Sequence, residues 1–413
     1  MRTGHADTFP RLLADIGGTN ARFALQTPER IAPIVTLACA DFATLQDAIT
    51  QALQRAGGPA VRHAAIAIAN PVQGDTVRMT NHHWAFSIAA LRDAMGWDTL
   101  LVLNDFTALA LALPELPPEH LRQIGGGAPV AETAIALLGP GTGLGVSGLI
   151  PGPGGTWLPL SGEGGHVSFA PFDGREIDLW RYAQARFGHV SAERLLSGPG
   201  LQLIHAWLGE SGDHPAAGPP QGGVHPLGGQ QGQSPSVGAV HHPAAGPPQG
   251  GVHPLGGQQG QSPSVGAVHH PAAGPPQSGV RPLGGQQGQS PSVGADHHPA
   301  AALSPADITA RALQGGDLRC VQTVDLFCAL LGTAAANLAL TLGATGGVFI
   351  GGGIVPKMGA AFARSGFRAR FESKGRFSGY LAHIPVFVIH HPDPAFLGAA
   401  KALDHQLISS TLL

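Results

Sequence analysis

The sequence predicts an α/β protein, and two observations carry that reading. Apolar runs of strand length alternate with stretches of helical apolar spacing. A strand, glycine turn and strand unit also occurs twice, at Leu12 to Leu25 and again at Ala134 to Ser147. Two such units about a domain apart suit a nucleotide clasped between two similar domains. The 413 residues, 43% of them hydrophobic, are enough for two sizeable cores.

In the first unit, Leu12 to Ile16 reads as a buried strand that stops at Gly17-Gly18 and resumes as Ala21 to Leu25. Gly17 and Gly18 allow positive φ and carry no Cβ, so backbone can turn tightly and approach a ligand closely. Thr19 and Asn20 put polar groups at the tip. Asp15 stands at the strand end, where a carboxylate can hold Mg²⁺ directly or through water. The outline is a phosphate-cradling hairpin, against the ordinary alternative of a plain β-turn.

Ile34 to Ala38 reads as a third strand, and Leu45 to Ala56 as a helix ending at Gly57-Gly58. Ala64 to Ala69 is another buried strand, followed by a turn from Asn70 to Asp75. Ser87 is an N-cap for Ile88 to Met95. Thr99 to Leu103 is a strong strand that runs into Asn104-Asp105-Phe106. Read alone, that pair is equally an Asx-turn or a placed base.

In the second unit the strand from Ala134 to Leu138 is broken by Gly139-Pro140-Gly141-Thr142-Gly143 and resumes at Leu144. Gly143 to Gly148 formally matches a dinucleotide fingerprint, but Leu149-Ile150-Pro151-Gly152 cannot be the helix that motif requires. No Walker-type phosphate loop is present. Ser161-Gly162-Glu163-Gly164-Gly165-His166 places a Glu and a His three apart on a glycine-rich loop, which favours a ligand contact over a structural His. Ser191 caps a helix in which Glu193 sits in the first turn, a place where acids also occur simply to favour the dipole.

A unit of 28 residues then begins at His214, His242 and His270, and the third copy differs only at Ser278, Arg281 and Asp296. Rich in Pro, Gly and Gln, it cannot bury enough surface to offset chain entropy, so 214–297 reads as a disordered surface insert. Its histidines read as incidental to the repetition rather than as a metal site. Ser304-Pro305-Ala306-Asp307 restarts order as a capped helix. Leu318 to Leu342 predicts a long buried helix, Gly346 to Ile350 and Pro385 to Ile389 strands, and Ala395 to Leu407 a closing helix. Gly351-Gly352-Gly353 either lets an adenine or ribose lie against backbone or serves tight strand-to-helix packing.

A net charge of −3 favours neither nucleic acid nor an anionic membrane. Cys39, Cys320 and Cys328 are too few and scattered for a disulfide framework or zinc site. Met1 to Arg11 lacks an apolar signal core, and no run of 18 uninterrupted apolar residues predicts a membrane span.

The stretches ADIGGTNARFAL, MTNHHWAFSI, LNDFTALA, GPGTGLGVSGLI, SGEGGHVSFAP, GHVSAERLLSGPGL, GGVFIGGGIVPK and SGFRARFESKGRF resemble, in order, the bacterial glucokinase family of the hexokinase-like, actin-type ATPase superfamily. The resemblance implies a two-domain actin-like ATPase (ribonuclease H-like) fold with a nucleotide and sugar cleft between the domains. It implies a small domain of residues 1–114 completed by a C-terminal helix at 392–413, and a large one of 115–391 interrupted by the repeats. It puts ATP phosphates on Ala14-Asp15-Ile16-Gly17-Gly18-Thr19 and on Gly141-Thr142-Gly143, beside the Mg²⁺ expected at Asp15 from the place of its carboxylate. It puts glucose on Asn104, Asp105, Glu163, His166 and Glu193, with Asp105 as the base for the 6-hydroxyl. A homodimer and a cytoplasmic setting are implied too. A kinase for another hexose and a sugar-responsive regulator remain the alternatives. A regulator of the related ROK group would carry an N-terminal helix-turn-helix and a cysteine-rich zinc motif. Here the strand starts by Leu12, and no Cys lies between His166 and Cys320.

Overall fold

Residues 8–80, 82–210 and 303–411 are described in the computed structural model, and the repeats at 214–297 lie outside the described residues. Chain order begins with β1 (Arg11–Ile16), β2 (Asn20–Gln26), β3 (Ile31–Ala38), α1 (Leu45–Arg55) and β4 (His63–Ile68). A small ribbon of β5 (Thr76–Arg78) and β6 (Ala85–Ser87) precedes α2 (Ile88–Met95), β7 (Thr99–Asn104) and α3 (Asp105–Ala112). The first sheet has the order β3-β2-β1-β4-β7, with β1, β2 and β3 antiparallel and β1, β4 and β7 parallel.

Local chemistry explains the helix ends. Thr44 and Asp47 form a reciprocal capping box on α1. The Ser87 hydroxyl accepts the Ala90 N–H at 3.0 Å, and Gly96 ends α2 at φ +66°. The apolar run at 106–112 is helix α3, and its start is set by Asn104.

The chain continues through β8 (Leu121–Ile124), β9 (Ile135–Pro140), β10 (Leu144–Pro151) and β11 (Trp157–Pro159). Helices α4 (Gly174–Phe187), α5 (Ala192–Leu195), α6 (Gly198–Glu210), α7 (Pro305–Gln314) and α8 (Leu318–Leu342) follow. After β12 (Val348–Ile350) come the short helices α9 (Val355–Met358), α10 (Ala360–Arg364), α11 (Phe367–Glu372) and α12 (Ser378–Ala382). The chain closes with β13 (Val386–Ile389) and α13 (Pro394–Thr411). The second sheet has the order β11-β10-β9-β12-β13-β8. Its first five strands repeat the arrangement of the first sheet, three antiparallel and then parallel, with β8 added at the edge. In both sheets a glycine turn joins the central strand to its antiparallel neighbour.

Helix α8 spans the residues the sequence predicts, between the Asp317 cap and Gly343 at φ +60°. It is long and apolar enough to cross a membrane, yet 67% of that stretch is buried inside the protein. Phe327, Cys328, Leu330, Leu331 and Ala335 are fully enclosed in the large core. Each large apolar side chain so buried contributes about 1.5–3 kcal/mol. Helix α13 places Phe396, Ala399, Ala400 and Leu403 against Leu13, Ala24 and Ala65 of the first sheet. Buried Arg11 on β1 pairs with Asp404 on α13 at 2.5 Å. Helix α13 also crosses α3 at Gly398, where a Cβ would overlap the Ala108 carbonyl.

Some expectations shift. Strand β3 starts at Ile31 rather than Ile34, because it follows the whole length of β2. The helix capped by Ser191 has only four residues before the chain turns into α6. Either side of the repeats the chain meets itself again: Gln202 Nε2–H donates to the Leu303 carbonyl at 3.0 Å.

Candidate functional site

Strand β7 delivers Asn104 and Asp105 to its carboxyl end, where α3 begins. Asn104 is the N-cap: its Oδ1 accepts the Phe106 N–H at 2.9 Å and the Thr107 N–H at 3.1 Å. Its Nδ2 donates to Asp105 Oδ1 at 2.9 Å and to the Asn70 carbonyl at 3.5 Å. Asp105 Oδ1 also accepts the Phe106 N–H at 2.9 Å. Burial pushes the Asp105 carboxyl up to about 6, and the nearby Asp15 charge adds to this. The bonds from Phe106 and Asn104 hold it down in part. A carboxylate so tuned is ionised at neutral pH and still basic enough to take a proton.

The Phe106 ring fixes this strand end against the second sheet. A Cβ on Gly139 would lie 2.7 Å from its Cζ, and one on Gly145 would overlap the ring. Both glycines belong to the β9–β10 hairpin, so the first turn of α3 is seated beside the turn at 141–143.

At the first turn, Asp15 lies opposite Arg22 in the β1–β2 register, and Arg22 Nη1 donates to Asp15 Oδ2 at 2.9 Å. Burial raises the Asp15 carboxyl, Arg22 opposes that, and Asp393 ahead of α13 adds to it. Ala14 and Ile16 are fully buried on a strand paired on both sides. Gly17 turns without entering the left-handed region; its N–H donates to the Asn20 carbonyl at 2.9 Å. The Cys39 N–H holds the Thr19 carbonyl at 2.8 Å, and Thr19 is exposed at the tip.

The second turn repeats that design with Thr142 exposed between Gly141 and Gly143. The Gly141 N–H donates to the Gly143 carbonyl, and the Gly198 N–H to the Gly141 carbonyl, both at 2.8 Å. Glu193 Oε2 accepts the Leu144 N–H at 2.9 Å. The 161–166 loop lies along β10, where a Cβ on Gly164 would meet Val146 and one on Gly165 the Leu144 carbonyl. That placement sets His166 between two carboxylates, with Nε2 3.9 Å from Glu163 Oε2 and Nδ1 4.0 Å from Glu193 Oε1.

A cavity of about 270 Å³ has Asn104, Thr107, Ser161, Gly162 and Glu163 in its lining, with the Pro71–Gln73 turn. The sequence-derived residues therefore join in sequence: Asn104 and Glu163 share the cavity, Glu163 and Glu193 flank His166, and Glu193 reaches the second turn. The three glycines at 351–353 divide. Cβ atoms on Gly351 and Gly352 would run into Leu109 and the Pro140 carbonyl, so these two serve packing. Gly353 is open and faces Gly141. Among the described residues no three His, Cys, Asp or Glu side chains form a metal cluster. Sequence reasoning missed Arg22, Phe106 and the Leu144 amide. Arg22 was visible as the only cation in the strand after the turn, but its pairing with Asp15 needs the hairpin register.

Comparison with known proteins identifies the family and the fold. A family model described as glucokinase matches residues 12–230 and 289–406. The chain is 47% identical over 407 residues to a glucokinase of Chromobacterium violaceum, covering 98% of this chain and 92% of that protein. It is 45% identical over 412 residues to a glucokinase of Ralstonia nicotianae, covering 97% of each. Among solved structures, a glucokinase from an Antarctic psychrotroph matches with TM-score 0.67 and 28% identity, over 96% of this chain and 99% of that one. A glucokinase from Balamuthia mandrillaris in complex with glucose matches with TM-score 0.64 at 16% identity, covering 97% and 95%, a likeness of fold. The fold is the actin-like ATPase fold of sugar kinases. The chain belongs to the glucokinase family.

Proposed function

We propose that the chain transfers the γ-phosphoryl group of ATP to O6 of glucose, giving glucose 6-phosphate and ADP, with Asp105 as general base. The observation that carries this is the Asp105 carboxyl, held by Asn104 and Phe106 at the end of β7 with its acidity tuned to about 6. Oδ1 is engaged by those two donors, so the sugar proton goes to Oδ2. As it leaves, O6 attacks phosphorus, the O6–P bond forms, and the bond to the ADP oxygen breaks with its electron pair left on ADP. Such a transfer asks the protein for alignment and charge stabilisation more than for covalent chemistry.

Glu163, His166 and Glu193 hold the sugar ring at its hydroxyls, beside Asn104 in the cavity wall. Hydrogen bonds of this kind discriminate strongly, since an analogue lacking a hydroxyl leaves a buried polar group unpaired. Gly17-Gly18-Thr19 and Gly141-Thr142-Gly143 offer backbone to the phosphates from two sides. Asp15, with one oxygen held by Arg22, fits a magnesium ion carried in with the nucleotide rather than caged by protein. When bound, magnesium supplies neutralisation of the phosphate charge. The family resemblance extends the reading to a homodimer in the cytoplasm.

Asp105→Asn tests the assignment. Turnover is expected to fall by at least about a thousandfold while glucose binding, read by calorimetry, persists. Near-normal turnover would assign the base elsewhere.

A further inference from the structure

Glu193 does two things at once. It stands on α5 facing the sugar loop, with Oε1 4.0 Å from His166 Nδ1. Its other oxygen, Oε2, accepts the Leu144 N–H at 2.9 Å, directly after the second glycine turn. The carboxylate lies so close to Gly143 that a Cβ there would overlap Oε2. On the other side of the turn, the Gly198 N–H holds the Gly141 carbonyl at 2.8 Å. The segment 193–198 thus grips the turn at both ends, by a side chain at Leu144 and by backbone at Gly141. The side chain is about one-third exposed, 32%, so the carboxylate is open to a ligand while it holds the turn.

We infer that Glu193 is a positioning residue for the nucleotide turn, acting through the Leu144 amide, in addition to its contact with the sugar. This rests on the nucleotide and sugar assignments proposed above. A hydrogen bond donated by a backbone amide to a charged acceptor is stronger than one to a neutral acceptor. Its loss frees the Gly141-Thr142-Gly143 turn to move away from the phosphates. Because one carboxylate serves both ligands, occupancy of the sugar site and of the turn are coupled, and the coupling is reciprocal.

The test is ADP binding by calorimetry with no sugar present, a condition in which a residue serving only glucose has no effect. E193A is expected to weaken ADP by about tenfold. E193Q keeps a carbonyl oxygen for the Leu144 N–H but loses the charge, so its ADP affinity should fall by only about threefold, less than in E193A, while glucose titrated alone binds more weakly. If E193A does not fold, E193D serves, because its carboxylate falls one methylene short of Leu144. Parental ADP affinity in E193A or E193D would overturn the inference. With glucose binding still impaired, the sugar assignment would survive that result; with glucose binding also unchanged, both would fall. A parent chain that binds no ADP would overturn the nucleotide assignment and this inference with it.

Discussion

The ring of Phe106 lies so close to Gly145 that a single added carbon at Gly145 would overlap three of its ring atoms. Phe106 is one residue past Asp105, and Gly145 is one residue past the Leu144 amide that Glu193 holds. The contact therefore sets the distance between the strand end that carries Asp105 and the hairpin that carries the second glycine turn.

Gly145→Ala is expected to cost about 1–3 kcal/mol of stability by overpacking. Turnover should fall as well, because Phe106 can yield only by moving the start of α3. Thermal unfolding and steady-state kinetics check this together. A variant with the parent's Tm and kcat would show that the contact relaxes freely.

Asp105 ties activity and stability to pH in opposite directions. As the proposed base it must be ionised, so kcat/KM should rise with pH through about 6 and level off above it. Its folded-state carboxyl holds a proton more tightly than the unfolded one. Stability from this group is therefore full below about pH 4 and declines as pH rises towards 6. It follows that Asp105→Asn should be at least as stable as the parent at pH 7. A marked fall in its Tm would contradict the burial of charge at this position.

Asn104→Ala removes the α3 cap, worth about 1 kcal/mol, and also the donor to Asp105 Oδ1. Burial then acts on Asp105 with one less opposing bond, so the acidic limb of the pH–rate profile should move to higher pH. A limb that stays in place while Tm drops would show that Asn104 caps α3 without tuning Asp105.

Deleting 214–297 should leave kcat and KM unchanged and shift Tm by no more than about 2 °C. The chain already closes on itself at Gln202 and Leu303, between α6 and α7. The family match also breaks within this region, between 230 and 289. Loss of folding on deletion would assign the repeats a structural role.

Where structure is set by neighbours in the chain, the sequence is legible. Thr44 with Asp47, Ser87, and Ser304 with Pro305 and Asp307 each specify a helix start within four residues. Helix α8 is bounded by Asp317 and Gly343, both visible as cap residues. Helix α4 carries the same signals, with Asp173 as N-cap and Gly188 past its end at φ +70°. Strand β8 does not, because four residues carry little periodicity and only β13 makes them a strand.

The candidate site was legible as a set of residues and illegible as an arrangement. Motifs named Asp15, Asn104, Asp105, Glu163, His166 and Glu193. No local signal says that Arg22 sits on Asp15, that Phe106 wedges between Gly139 and Gly145, or that Glu193 holds the Leu144 amide. Those relations join residues across hairpins and between sheets. The glycines at 139, 164 and 165 read as loop formers and Gly145 as one residue of a strand, while the structure uses all four for close approach.

The central claim is that Asp105 takes the proton from O6 of glucose as ATP donates its phosphoryl group. The most direct measurement supplies ATP, magnesium and glucose, follows ADP release, and assays the product with a dehydrogenase specific for glucose 6-phosphate. The expected result is equal amounts of ADP and glucose 6-phosphate from the parent chain, and both formed at least about a thousandfold more slowly by Asp105→Asn. Absence of glucose-dependent ADP release, or phosphate on a different hydroxyl, would contradict it.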